Sequence, residues 1–170
     1  YLDSALQYSG AGTTTLSGLG HLEGQTVAVL VNGATHANKT VTSGSITLDR
    51  SATKATVGLP YNSDMQTLNI ESGAADGTAQ GKTKRIHRVG IRFNESVGCS
   101  IGPDADSLKV IPFRSSANLM DAATNLFTGD KTIEWNGGYE VEGRIYIRQS
   151  QPLPMTIVGV FPQLVTQDRG

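Results

Sequence analysis

The sequence predicts an all-β protein: a small β-barrel-like module followed by an antiparallel β-sandwich-like module, with at most one short helix. Three observations lead there. Apolar and polar residues alternate with period two along most of the chain. Turn dipeptides such as Asn32-Gly33 and Ser43-Gly44 recur at short intervals. Glycine is abundant, at 20 of 170 residues, in company with many Ser and Thr. That mixture weakens helix interiors and suits short strands joined by turns.

The elements follow in chain order. Thr26 to Val31 (TVAVLV) reads as a buried strand, and Asn32-Gly33 supplies the positive φ angles of a tight hairpin. Ser43-Gly44 makes a second turn, after which Ile46 and Leu48 share one face. Ala55 to Leu59 is strand-like and Pro60 stops it. Closely spaced hairpins of this kind favour a barrel or sandwich, so the first module is placed at 1–60 and an antiparallel β domain at 61–170. Tyr61 to Ile70 continues as strand, and ESGAADGTAQG is an exposed connection. Lys84 to Phe93 alternates, with Val89, Ile91 and Phe93 on one side and Arg88, Gly90 and Arg92 on the other. By that count Lys84, Arg88 and Arg92 share a face. Leu119, Ala122, Ala123 and Leu126 fall at helical spacing, which predicts one or two helical turns within 116–127. Lys131 to Trp135, Tyr139 to Arg148 and Met155 to Phe161 are strands, the last apolar enough to be central.

Composition narrows the function. The net charge of −1 gives no general attraction to nucleic acid or anionic lipid. Charged residues are 17% of the chain, below the usual quarter. Cys99 stands alone, so no internal disulfide forms and a reduced compartment fits. No apolar run reaches the ~18 residues of a membrane span. The first residues, YLDSALQYSG, have no Met and no signal-peptide pattern, and read as part of a longer chain.

The motifs that suggest chemistry lose it on inspection. Gly81-Lys82-Thr83 ends like a phosphate-binding loop, but the first glycine of that motif would fall at Asp76, with Gly77 one place late. A strand pattern follows it, where an anion-holding helix is required. Asp104 and Asp106 resemble the start of a calcium loop, yet the required glycine is missing and Ser115 stands where the closing Glu belongs. His21, His36, His87 and Cys99 have no zinc spacing. Cys99, in VGCSIG, is expected as a buried apolar thiol. Glu140 and Glu142 stand two apart on a predicted strand, about 7 Å by the strand rise, a spacing equally common on solvated faces. No catalytic, cofactor or metal residue is assigned.

Two groups stay as candidate contacts. Lys82, Lys84, Arg85, Arg88 and Arg92 form a basic group that suits an acidic partner surface or a DNA backbone, against the plainer reading of a solvated face paired with acids such as Glu140 or Glu142. Trp135 and Tyr139 flank Asn136-Gly137-Gly138 and suit stacking on a sugar, against the plainer reading of Trp135 in the core and Tyr139 as an ordinary strand aromatic.

The phrases LSGLGHLEGQTVAVLVNG, VTSGSITLDR, ATVGLPY, GKTKRIHRVGIRF, FTGDK and QPLPMTIVGVFPQL, in that order over essentially the whole chain, carry a resemblance. They look similar to the C-terminal part of tail proteins of tailed phages, of the nozzle or tubular tail type. That part includes a module named for its similarity to the first catalytic-cysteine half-domain of ubiquitin-activating enzymes. The resemblance implies a small β-barrel within a larger virion tail subunit, assembled in the host bacterial cytoplasm. It also implies a homo-oligomeric parent, tail or portal-proximal proteins as neighbours, and DNA contact only as the lining of a tail channel. It implies no enzyme, since no cysteine precedes Cys99 and no adenylation site is visible. The alternative class is a receptor- or carbohydrate-binding module of a tail tip. The loop at 72–81 and the QPLP turn stand as candidate interface or hinge elements on composition alone.

Overall fold

The structure is a computed structural model that describes residues 2–71, 78–116, 118–119, 122–135 and 137–167. The fold is all-β, with three antiparallel sheets, no α-helix among the described residues, and a single 3-10 turn at Gly20–Leu22. The chain divides into two compact units. The first takes residues 1–62 with 112–125 and 150–154, and the second takes 63–111, 126–149 and 155–170.

The first unit is one sheet of β1 (Asp3–Ser17), β2 (Thr26–Val31), β3 (Ala34–Thr40) and β4 (Ser45–Leu59), in the order β1-β4-β2-β3. Asn32 (φ 51°) and Gly33 (φ 82°) turn β2 into β3, as the sequence predicts. Asn32 does more than turn. Its Oδ1 accepts from the Thr53 amide (3.1 Å), the Thr53 hydroxyl (3.0 Å) and the Lys54 amide (2.9 Å). A local turn is thereby tied to the middle of β4, far away in sequence. Ser43 (φ 51°) and Gly44 (φ 67°) make the second turn, and their amides converge on the Glu23 carboxylate at 2.8 and 2.7 Å. Leu16, Leu19, Leu22, Val27, Val29, Val31, Ile46, Leu48 and Val57 pack as one apolar cluster under the sheet.

The sheet is not a closed barrel: β1 and β3 are its edges. Side chains make the remaining link between β3 and the first half of β4. Arg50 donates to the Thr35 carbonyl at 2.9 Å, and the buried His36 accepts from the Asp49 amide through Nε2 at 3.0 Å. His36 Nδ1 lies 2.8 Å from the Ala37 carbonyl, which fixes the tautomer with the proton on Nδ1. β4 pairs with β1 along its whole length, with register shifts on the way, while β2 meets only its second half, Ala55 to Gly58.

The second unit has two sheets in a sandwich-like arrangement. One joins β5 (Ser63–Gln66), β10 (Tyr146–Gln149), β7 (Ser100–Gly102) and β8 (Lys109–Val110), in that order. The other joins β11 (Ile157–Gln167), β6 (Thr83–Ser96) and β9 (Phe127–Glu134). Ile86, Val89, Ile91 and Phe93 of β6 are buried, as are Ile101, Ile145 and Ile147. Three polar residues of this unit are buried as whole residues: Lys84, Ser96 and Gln149. Gln149 Nε2 donates to the carbonyls of Val97 (3.0 Å) and Gly98 (2.6 Å), and Lys84 Nζ to that of Val141 (3.0 Å). Burial without such partners would cost several kcal/mol.

Four expectations are corrected. The helix within 116–127 does not form among the residues described there, and Leu119 and Leu126 are exposed. Arg114 takes the carbonyls of Leu119 and Ala122, and Asn118 Oδ1 takes the Ser115 amide at 2.7 Å. Side chains have captured the groups a helix needs, and a segment this short nucleates poorly. The strand expected over Tyr139 to Arg148 is reduced to a bridge at Glu140 and the four residues of β10. The last strand is an edge, not a centre: β11 pairs only with β6 and exposes Val158, Phe161 and Val165.

The fourth correction concerns β6. Gln163 lies opposite Arg88 and Leu164 opposite Ile86, so His87 is an extra residue, a β-bulge. Below the bulge Lys84 and Ile86 point inward; above it Val89, Ile91 and Phe93 do. Lys84 therefore does not share a face with Arg88 and Arg92. It is buried at 1% exposure, and strict alternation gave the wrong side because it cannot see an inserted residue.

Candidate functional site

The candidate surface is the outer face of the sheet β11-β6-β9. Arg88 and Arg92 project from β6, and directly opposite them on β9 stand Glu134 and Asp130. Arg92 grips Asp130 with both prongs, Nε to Oδ1 at 2.7 Å and Nη2 to Oδ2 at 2.8 Å. Arg88 holds Glu134 Oε1 from Nε at 3.2 Å and Nη2 at 2.9 Å. The hydrogen bonds from Arg92 hold the Asp130 carboxyl below the usual carboxylate range. The acids are not Glu140 or Glu142. Yet the partners carried a visible signal. Asp130 and Glu134 are four apart, as are Arg88 and Arg92, so antiparallel pairing aligns acid with base at both ends.

On the other flank Phe161 of β11 lies opposite Gly90, and the Arg92 guanidinium sits 5.5 Å from its ring centre. A Cβ on Gly159 would stand 2.9 Å from the ring tip of Phe161, so glycine there leaves the ring its place. Val165 lies opposite Arg85, which stacks over Tyr139 at 5.8 Å. The face thus presents, strand by strand, Phe161, Gln163 and Val165 on β11, an arginine row on β6 and an acidic row on β9.

The predicted basic group is therefore divided. Arg85, Arg88 and Arg92 lie on this face, Lys84 is inside, and Lys82 belongs to the turn that enters β6. The two arginines with carboxylate partners are already neutralised, which leaves little net attraction for a phosphate backbone. Trp135 and Tyr139 part company as well: Trp135 is 7% exposed, while Tyr139 is half-exposed beneath Arg85. They do not make a shared stacking platform.

Gly81 carries φ 80°, and β6 starts at Thr83, so the Gly-Lys-Thr stretch enters a strand and launches no helix. Asp76 and Gly77 lie outside the described residues, as do 72–75 of the candidate loop and Asn136. In the QPLP turn Leu153 is buried and its amide reaches the Gln151 carbonyl at 2.7 Å. Asp104 closes its own turn, accepting from the amides of Asp106 (2.9 Å) and Ser107 (2.8 Å), which lowers its pKa. Glu140 is raised, first by burial and then by the charges of Glu142 and Asp104. Residues 140–142 lie outside any strand, so the spacing expected of that acidic pair does not apply. Cys99 is buried and its thiol is pushed up to about 12 by desolvation, the opposite of an activated nucleophile. Sequence reasoning missed the pair Arg148–Asp64, two-pronged at 2.7 and 2.9 Å. Its members are 84 residues apart, and no local pattern connects them.

Among the described residues no three His, Cys, Asp or Glu side chains converge as a metal site, and no helix is long and apolar enough to cross a membrane. No protein-family model matches the chain, and no curated protein matches it.

Proposed function

We propose that this chain is an assembly module of a phage virion tail, part of a larger nozzle or tubular tail subunit that works through protein–protein contact. On this reading the parent is a homo-oligomer among tail or portal-proximal proteins, built in the bacterial cytoplasm, with DNA met only as the content of a channel. The observation that carries the reading is the outer face of β11-β6-β9. Phe161 stands half-exposed on an edge strand, with exposed Val158 and Val165 along the same strand. Beside it the arginines are held in place by their acids. A fixed aromatic anchor with a polar surround is how protein interfaces concentrate their binding energy. Edges such as β11 and the 15-residue β1 also offer unpaired backbone for subunit contact.

Light scattering on the full-length parent tests this. A multimer that Phe161→Ser dissociates is expected. A parent that stays monomeric when mixed with other tail proteins overturns the reading.

A further inference from the structure

The free edge of β11 can be read bond by bond. The His87 carbonyl accepts from the Trp135 amide at 3.0 Å, so Val89, Ile91 and Phe93 also turn their backbone toward β9. The residues between them turn the other way, as the Asn94 amide does in reaching the Thr156 carbonyl at 3.0 Å. Gly159, Phe161 and Gln163, opposite Arg92, Gly90 and Arg88, therefore direct their N–H and C=O groups to β6. Below the bulge Lys84 exchanges both backbone bonds with Glu140, so Arg85 and its partner Val165 turn toward each other. Val160, Leu164 and Thr166 are left with N–H and C=O directed off the sheet, and Pro162 with a C=O alone. Proline fits a strand only where the N–H it lacks would have pointed away from the ladder.

This edge differs from the others. β1 breaks its register at several places, and β3 is tied to β4 by the side chains of His36 and Arg50. β5 and β8 have four and two residues. β9 carries Asp130, Lys131 and Glu134, charges of the kind that guard an edge. β11 runs for 11 residues, IVGVFPQLVTQ, without a charge. Such an edge pairs with another strand unless something stops it, and from Gly159 onward Pro162 is its one interruption.

We infer that β11 pairs antiparallel with β11 of a second copy, about a two-fold axis at Gln163. Edge-facing residues must meet edge-facing residues, and that fixes the register. With Gln163 on the axis, Val160 meets Thr166 of the second copy and Pro162 meets Leu164. Every N–H on the edge then finds a carbonyl, and only the Leu164 carbonyl goes without a donor. Moving the axis one residue either way leaves Thr166 or Val160 unmatched among the described residues. The same register matches side chains on the outer face. Phe161 comes opposite Val165 of the second copy, an aromatic against a β-branched residue, and the pair recurs across the axis. Gln163 meets Gln163 of the second copy, and an amide both donates and accepts. The sheet then runs on from β9 of one copy to β9 of the other. This names a partner and a contact for the assembly reading, on which it rests for its setting in a tail.

Sedimentation equilibrium on the chain tests the pairing. A monomer–dimer equilibrium is expected, with a dissociation constant on the order of micromolar, as for a small contact. Gln163 is exposed, so Gln163→Lys should leave the melting curve of the dilute monomer unchanged. It sets like charges face to face on the axis and should weaken the dimer about tenfold. Mixed with Gln163→Glu, it should recover a heterodimer as tight as the unaltered pair. Only a residue on the axis meets its own counterpart, so this rescue singles out the register. Pro162→Ala supplies the missing N–H and should tighten the dimer about tenfold. A chain still monomeric at about 1 mM overturns the inference. So does a dimer indifferent to Gln163→Lys and Pro162→Ala, which would place the contact on another edge or face. A parent whose multimer survives Gln163→Lys keeps the assembly reading and removes this pairing. Dimers of the chain that depend on Gln163, beside a parent that joins no other tail protein, keep the pairing and remove the assembly reading.

Discussion

The two units solve one problem in different ways. The first combines one tight hairpin, β2 to β3, with a long-range pairing of β1 to β4 around a core of aliphatic side chains. The second joins strands far apart in the chain and ties them with buried polar groups, Gln149 to Val97 and Gly98, Ser96 to Thr156, Lys84 to Val141. An apolar core needs only volume and pattern. A polar tie needs a defined partner, because an unpaired buried group is costly. The second unit is therefore the more sharply specified in register and the less readable from sequence.

The largest test of that contrast is Leu19→Ala, a wholly buried position in the apolar cluster. It should destabilise the first unit by about 3 kcal/mol. Hydrogen exchange should show the loss in β1 to β4 while amides of β6 keep their protection. Loss spread equally over both would dissolve the contrast. Asn32→Ala comes next, at about 2 kcal/mol in chemical denaturation. It removes an acceptor used three times and places a Cβ-bearing residue without turn chemistry at positive φ. In the second unit Gln149→Leu should cost about 2 kcal/mol, leaving two carbonyls short of a donor. Lys84→Met should stay within about 1 kcal/mol, because the lost bond to Val141 is offset by the relief of a buried charge.

The smallest effect belongs to the exposed arginine pairs, and pH reveals it. Asp130 and Asp64 titrate lower folded than unfolded, chiefly through hydrogen bonds from Arg92 and Arg148. Their contribution is complete above the unfolded carboxylate pKa, about 3.9, and is lost as pH falls through the lower folded value. Glu140, raised by burial, has the opposite sign and is relieved by acid. The melting temperature should fall below about pH 4. Arg92→Ala should flatten part of that fall while barely moving the neutral value.

What the sequence made legible was local. Asn32-Gly33 and Ser43-Gly44 state their φ angles in their residue types, and Ile46 and Leu48 show their face by alternation. β1 escaped notice because DSALQYSGAGTTTLS is mostly exposed and shows no apolar period. The helix within 116–127 was misread because spacing alone ignores what Arg114 and Asn118 do to the backbone. At the candidate surface the arginines were visible, and so was the four-residue spacing of their acids. The depth of Lys84 was hidden behind the bulge.

That extra residue at His87 has an evolutionary meaning. Removing its codon would leave Lys84, Ile86, Val89, Ile91 and Phe93 all facing the interior and would remove the register shift between Gln163 and Leu164, leaving only the one between Ile157 and Gly159. Anywhere else between Val89 and Phe93, losing one codon swaps inside for outside. In a deletion scan, then, His87 marks the seam in this strand where length is free to vary and where lineages of the same fold are free to differ by one.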